Sequence, residues 1–224
     1  MSRLKAVIFD MDGLMFDTER MTYSAHLQAA NDLQLPYDHA TYLGNIGLSG
    51  QHYEDYMSQV FPDPDDRQAF MALAKHYTQA LLEDPAQPAI KPGLKALLTY
   101  LQDRGIKAYI ASSSKRDTIS RHLASKGLAA YFTAYIGGDQ VLRSKPSPDL
   151  YEQIFAMSGL DHKDQVLVLE DSKNGIIAAK AAGLPVINIP DMIPPDQQMI
   201  GDSLAILPDL HAVISYIQTH YQVN

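Results

Sequence analysis

Apolar residues follow two kinds of spacing along this chain, and the spacing divides it into three stretches. Ala6 to Phe9 is a short continuous apolar run, the pattern of a strand buried on both faces. From about residue 20 to 84 the chain reads as wholly helical. Phe70, Leu73, Ala74, Tyr77 and Leu81 recur three and four apart and predict an amphipathic helix over 66–83, after a loop at Pro62-Asp63-Pro64. Pro85, Pro88 and Pro92 mark a return linker. Beyond it strands and helices alternate. Leu94, Leu97, Leu98 and Leu101 form one helical face that ends near Gly105. Lys107 to Ala111 predicts a strand, Asp117 to Lys126 a helix stopped by Gly127, and Tyr135-Ile136 a short strand. Asp149 to Met157 predicts a helix with Ser147 as cap and Pro148 at its first position. Val166 to Leu169 is a buried strand, Asn174 to Ala182 a helix stopped by Gly183, and Pro185 to Ile189 the next strand, with a further one at Leu204 to Ile206.

This order predicts an α/β fold: a Rossmann-like parallel sheet core, covered by helices on both faces, with an inserted helical cap domain. The core is expected over residues 1–16 and 89–224, and the cap over 17–88. Hinges are expected at Phe16-Asp17-Thr18 and from Pro85 to Pro92, so that the cap closes over the core and excludes water.

Composition narrows the function classes. With 224 residues, 46% apolar and 20% charged, the chain fits an ordinary globular protein of one large domain plus an insert. A net charge of −8 argues against nonspecific nucleic-acid or acidic-membrane binding. The absence of cysteine excludes disulfides, thiolate catalysis and cysteine–zinc sites. No apolar signal core and no stretch apolar enough to span a bilayer is found, so a cytoplasmic protein is expected, with no membrane or nucleic-acid partner and no evident protein partner. The eight histidines show no metal-ligand spacing.

The candidate chemistry lies at strand ends, where ligands bind in an open α/β sheet. Asp10 and Asp12 follow the first strand two residues apart, on one side of its end, with Gly13 next. Two like charges so close call for neutralisation, and a hard divalent cation suits oxygen ligands; a plain acidic Asp-Gly turn is the alternative. Ser112 follows the strand 107–111, Lys145 the strand 135–136, and Glu170 and Asp171 the strand 166–169. Each has a structural alternative. Ser114 and Asp117 have capping-box-like spacing, Lys145 fits a solvated loop, and Glu170-Asp171-Ser172 suits a helix N-terminus. Parallel strands would bring all these groups to one edge of the sheet.

The set resembles the four motifs of the haloacid dehalogenase superfamily, in order: Asp10-Met-Asp12, Ser112, Lys145 in Ser-Lys-Pro-Ser-Pro-Asp, and Glu170-Asp171-Ser-Lys-Asn-Gly. The inserted helices resemble that superfamily's small helical cap. The resemblance implies phosphoryl transfer through an aspartyl phosphate, with Asp10 as nucleophile and Asp12 as general acid and then base. It implies Mg²⁺ held by Asp10, the backbone carbonyl of Asp12 and Asp171, with Glu170 close or bound through water, and phosphoryl oxygens held by Lys145 and Ser112. The superfamily's dehalogenases lack the second aspartate and need no metal, which sets them apart from this chain.

The Lys-Pro-Ser-Pro-Asp and Glu-Asp-Ser segments look like the β-phosphoglucomutase and sugar phosphatase branch. A mutase of that branch usually offers a cap histidine after the Asp-Thr pair and an arginine near a Gly-x-Ser turn. Here Asp17-Thr18 is followed by Glu19, Arg20, Met21 and Thr22, and the turn reads Gly47-Leu48-Ser49-Gly50. Both departures favour a phosphatase acting on a small phosphorylated metabolite, with a mutase or a non-catalytic binding protein as alternatives. Lys115 and Arg116, in the first turn of a helix, point to a second anion site. Substrate contacts are expected from Ser113, Ser114, Lys115 and Arg116 in the core and from Glu19, Arg20, Ser49, Gly50 and Gln51 in the cap.

Overall fold

The computed structural model describes residues 3–48, 50–84 and 87–223. Ser49 of the expected substrate contacts, and Pro85 of the return linker, lie outside the described residues. The chain divides into two compact units, one of Met1–Phe16 with Ile90–Asn224 and one of Asp17–Ala89.

The first unit is built on five parallel strands: β1 (Ala6–Phe9), β2 (Lys107–Ala111), β3 (Phe132–Ile136), β4 (Val166–Glu170) and β5 (Val186–Asn188), in the spatial order β3-β2-β1-β4-β5. The central strands read as unbroken apolar runs because both faces are covered. Val7, Phe9, Ile110, Leu167 and Leu169 enter one core with Leu94, Leu97, Leu98 and Leu101. Ala6, Ile8, Tyr109, Val166 and Val168 enter the other with Leu150, Ile154 and Ile176. The order reverses beside β1, so β1 and β4 flank the point where such sheets open a crevice at their carboxyl ends.

β1 and β2 match the sequence expectation, the helices Arg116–Ser125 and Lys173–Ala181 each begin and end one residue earlier than expected, and β5 is shorter by a residue at each end. β3 begins at Phe132 rather than Tyr135; the exposed Thr133 interrupts its half-buried first residues, so no continuous apolar run marks its start. The stretch Leu204 to Ile206 forms a single bridge to Asn188, with hydrogen bonds along β5, rather than a sixth strand. Ser147 does not cap the helix Asp149–Ser158. Pro148 holds the cap position, and the Ser147 hydroxyl donates to Asp149 Oδ1 instead.

The second unit holds four helices: α1 (Thr18–Asp32), α2 (His39–Asn45), α3 (Gln51–Val60) and α4 (Pro64–Glu83). Asp63 caps α4 by accepting from the amides of Asp65 and Asp66, and Pro64 takes the first helical position. Ala29 and Ala30 of α1 give α4 room to approach and pack with Phe61, Phe70 and Ala74 in the core of the unit. His26 lies in the same core, with its ring against Tyr37, Tyr42 and Phe70. No helix among the described residues is long and apolar enough to cross a membrane.

Candidate active site

Asp10 leaves the carboxyl end of β1 with its amide bonded to Leu169 O of β4. Its side chain is 9% exposed. The chain then turns back, Gly13 N donating to Phe16 O and Met15 N to Met11 O. Gly13 has φ +84°, and a Cβ there would overlap the Asp171 carboxylate, so conformation and space both require glycine. Glu170 ends β4 and Asp171 follows it. Ser172 caps the next helix (Lys173–Ala181), its hydroxyl accepting from Gly175 N at 3.1 Å. Gly175 lies against Glu170 so closely that any Cβ would displace that carboxylate.

Carboxylate oxygens of Asp10, Glu170 and Asp171 lie within 4.8 Å of one another. Lys145, from the loop beyond β3, reaches into this cluster with its side chain only 4% exposed. Its ammonium donates to Asp10 Oδ1 at 2.5 Å, to Glu170 Oε1 at 2.6 Å and to Ala111 O at 2.9 Å. Tyr151 donates to the same Glu170 oxygen at 2.6 Å, and its ring underlies the ammonium at 5.0 Å. Asp12 faces two hydroxyls: Ser114 Oγ donates to its Oδ2 at 2.7 Å and Ser112 Oγ at 3.3 Å. Ser112 Oγ also accepts from Ser114 N. Ser114 is thereby no helix cap. The following helix, Arg116–Ser125, begins instead with Arg116 N bonded to Asp139 Oδ1.

The charges of the cluster do not balance. Burial pushes the Asp10 carboxyl up to about 8; Lys145 opposes this, and the charges of Glu170 and Asp12 add to it. Burial, then the charges of Asp10 and Glu170, hold the Asp171 carboxyl well above its usual range. Burial works against the Lys145 ammonium, but Asp10 and Glu170 outweigh it and hold the lysine charged. Asp171 Oδ1 is buried and has no hydrogen-bond partner. An all-oxygen donor set with excess negative charge and an unpartnered carboxylate oxygen fits a hard divalent cation. Asp10, Glu170 and Asp171 are the residues that could hold it.

The other expected contacts fall less neatly. Ser113 Oγ pairs with Ser144 Oγ at 2.9 Å, and Lys115 is exposed. The exposed Arg116 guanidinium stacks on Tyr135 and donates to Tyr135 O at 3.1 Å. In the second unit, Glu19 Oε2 accepts from Tyr42 OH at 2.7 Å and Arg20 pairs with Asp17 at 2.9 Å. Gly50, at φ +55°, precedes α3, and Gln51 donates to Asp55 along that helix. Sequence reasoning passed over Tyr151, Asn188 and the Lys91–Asp191 pair, which joins at 2.5 Å. Asn188 is fully buried, and its amide donates to the carbonyls of both Glu170 and Asp171. A fully buried asparagine in an apolar strand is the one sequence signal that could have singled any of them out.

Comparison with known proteins agrees with this geometry. A family model described as haloacid dehalogenase-like hydrolase matches residues 7–189. The phosphorylated carbohydrates phosphatase of Thermotoga maritima is 27% identical over 81% of this chain and 82% of its own length. The β-phosphoglucomutase of Bacillus subtilis is 28% identical over 91% of this chain and 89% of its own. Among solved structures, CbbY from Rhodobacter sphaeroides in complex with phosphate has a TM-score of 0.72 at 22% identity, covering 94% of this chain and 96% of that one. The matched motifs, the sheet topology and the acidic cluster at the sheet edge agree: the chain belongs to the haloacid dehalogenase-like hydrolase family.

Proposed function

We propose that this protein is a Mg²⁺-dependent phosphatase that hydrolyses a small phosphomonoester, a sugar phosphate or a nucleotide-like one, through a phosphorylated Asp10. The observation that carries this reading is the cluster of Asp10, Glu170 and Asp171 around Lys145, with Asp12 beside it. A bound Mg²⁺ would neutralise carboxylates and phosphoryl oxygens and so lower the cost of bringing an anion to an acidic site.

In the reaction an Asp10 carboxylate oxygen forms a bond to phosphorus while the bond from phosphorus to the leaving oxygen breaks. Asp12 gives its proton to that oxygen, then takes one from the water that attacks the aspartyl phosphate. Inorganic phosphate leaves and Asp10 is free again. Ser112 and Ser114 hold Asp12 by one carboxylate oxygen and leave the other to move the proton. Lys145 keeps a positive charge beside the attacked phosphoryl group and favours the ionised form of Asp10. A protonated Asp10 is a poor nucleophile, so its upward shift supports a need for a cation at neutral pH.

A phosphosugar mutase is the second reading, favoured by the likeness to β-phosphoglucomutase. The cap residues weigh against it, since Glu19, Arg20, Met21 and Thr22 after Asp17-Thr18 include no histidine and Gly50 stands near the turn where an arginine is usual. A panel of sugar phosphates and nucleoside monophosphates, assayed for phosphate release with MgCl₂ and with EDTA, separates the readings. We expect release from at least one compound and its loss in EDTA. Interconversion of hexose phosphates with no release from any compound would establish the mutase instead.

A further inference from the structure

The cation-binding carboxylates need something to aim them, and one of them lacks the usual means. Asp171 Oδ1 accepts no hydrogen bond, so no donor fixes that oxygen. Its direction therefore depends on the main chain of Glu170 and Asp171, just past the end of β4. In a parallel sheet that main chain would normally be released there, because the ladder has ended.

Here the ladder is prolonged by a side chain. Asn188, the last residue of β5, is the register partner of Glu170. It is fully buried, and its side-chain oxygen has no hydrogen-bond partner there, so the amide holds a costly position for the sake of its two donor bonds. Its Nδ2 donates to Glu170 O and to Asp171 O, both at 3.2 Å. Glu170 O also accepts from Ile189 N at 2.8 Å, so the turn is gripped by backbone and side chain together. The Asn188 backbone is itself fixed from the other side, its amide bonded to Ala205 O and its carbonyl to Leu207 N. Both groups of the strand backbone are thus satisfied without the side chain. The side chain's two donor bonds are spent wholly on the two residues that carry the metal-site carboxylates.

We propose that Asn188 is a positioning residue for the cation: by tying the carbonyls of Glu170 and Asp171 it presents their carboxylates, and Asp171 above all, in the geometry that a divalent cation requires. This rests on the reading that Asp10, Glu170 and Asp171 hold the cation. It touches neither substrate nor reacting atoms and acts through the turn. Groups that hydrogen-bond metal ligands commonly change metal affinity by about 10- to 100-fold, and a carbonyl-holding amide one residue removed belongs at the lower end.

The test is titration of the full-length protein with MgCl₂, followed by the rise in Tm, for the wild type, Asn188→Leu, Asn188→Ser and, as reference, Asp171→Asn. The wild type is expected to gain Tm saturably and Asp171→Asn to gain little. Asn188→Leu, close in size but without a donor, is expected to need about tenfold more MgCl₂ for the same rise. At saturating MgCl₂ its kcat should return to within about threefold of wild type, a split that a merely structural role would not produce. A Mg²⁺ midpoint within twofold of wild type would overturn the proposal. If Asn188→Leu does not fold, the midpoint of Asn188→Ser decides in the same way, and loss of the fold in both makes Asn188 a structural residue and ends the proposal. A wild type whose Tm ignores MgCl₂ overturns the metal reading itself, and this proposal with it.

Discussion

Glu170 Oε1 accepts two short hydrogen bonds, from Lys145 and from Tyr151, and no part of this residue is exposed. A carboxylate in such a place is held by its donors, and each donor to a charged group contributes about 1.5–3 kcal/mol. Tyr151 does two things at once: its hydroxyl orients Glu170, and its ring faces the Lys145 ammonium. Tyr151→Phe keeps the ring and removes the hydroxyl. We expect the variant to fold and its kcat/KM to fall roughly tenfold, because Glu170 Oε1 then keeps Lys145 as its one donor, while Ser172 still holds Oε2. An unchanged kcat/KM would remove Tyr151 from the working site. The signal for Tyr151 was not legible in the sequence, since it reads as one more apolar position on a helix. Asp10, Asp12, Glu170 and Asp171 stood out because they follow apolar strands closely, whereas Lys145, in the loop beyond β3, stood out through its place in the resemblance to the superfamily's motifs.

At the scale of elements, the buried strands were the most legible part. β1, β2 and β4 are apolar on both faces, so run length alone betrays them. Side-chain competition at helix ends was not legible. Ser114 has the spacing of a cap, yet the Asp12 carboxylate takes its hydroxyl while Asp139 takes the Arg116 amide. Both partners are distant in sequence, and only the folded sheet brings them there. The helices of the second unit carry a different consequence. Burial lowers the His26 imidazole from 6.5 to about 4, and its Nδ1 lies 3.1 Å from Tyr37 OH among aromatic rings. The folded unit thus holds His26 neutral, while an unfolded chain takes up a proton near pH 6.5. Its contribution to stability is present above that pH and is lost as pH falls toward 4, by about 2 kcal/mol at pH 5. Thermal unfolding between pH 7.5 and 5 should show a larger loss of Tm for wild type than for His26→Phe. Equal losses in the two proteins would show that His26 does not titrate on unfolding.

Across the whole molecule, groups from residues 10, 12, 112, 145, 170 and 171 meet because five parallel strands end on one edge. The chain carries a net charge of −8, and its acidic cluster has one buried lysine to offset three carboxylates. Such a site does not admit a phosphate dianion unaided, which is why hydrolysis by this protein should be silent without a divalent cation. Once the phosphate is bound, the account turns on one atom: a carboxylate oxygen of Asp10 must bond to phosphorus. Quenching the enzyme in mid-turnover with Mg²⁺ and a hydrolysed panel compound, reducing it with borohydride and sequencing the peptides by mass spectrometry tests that bond directly. An acyl phosphate at Asp10 is reduced to an alcohol, so the account predicts homoserine at position 10 and nowhere else. Steady phosphate release from a protein that gives no homoserine at position 10, or the same rate from Asp10→Asn, would contradict it.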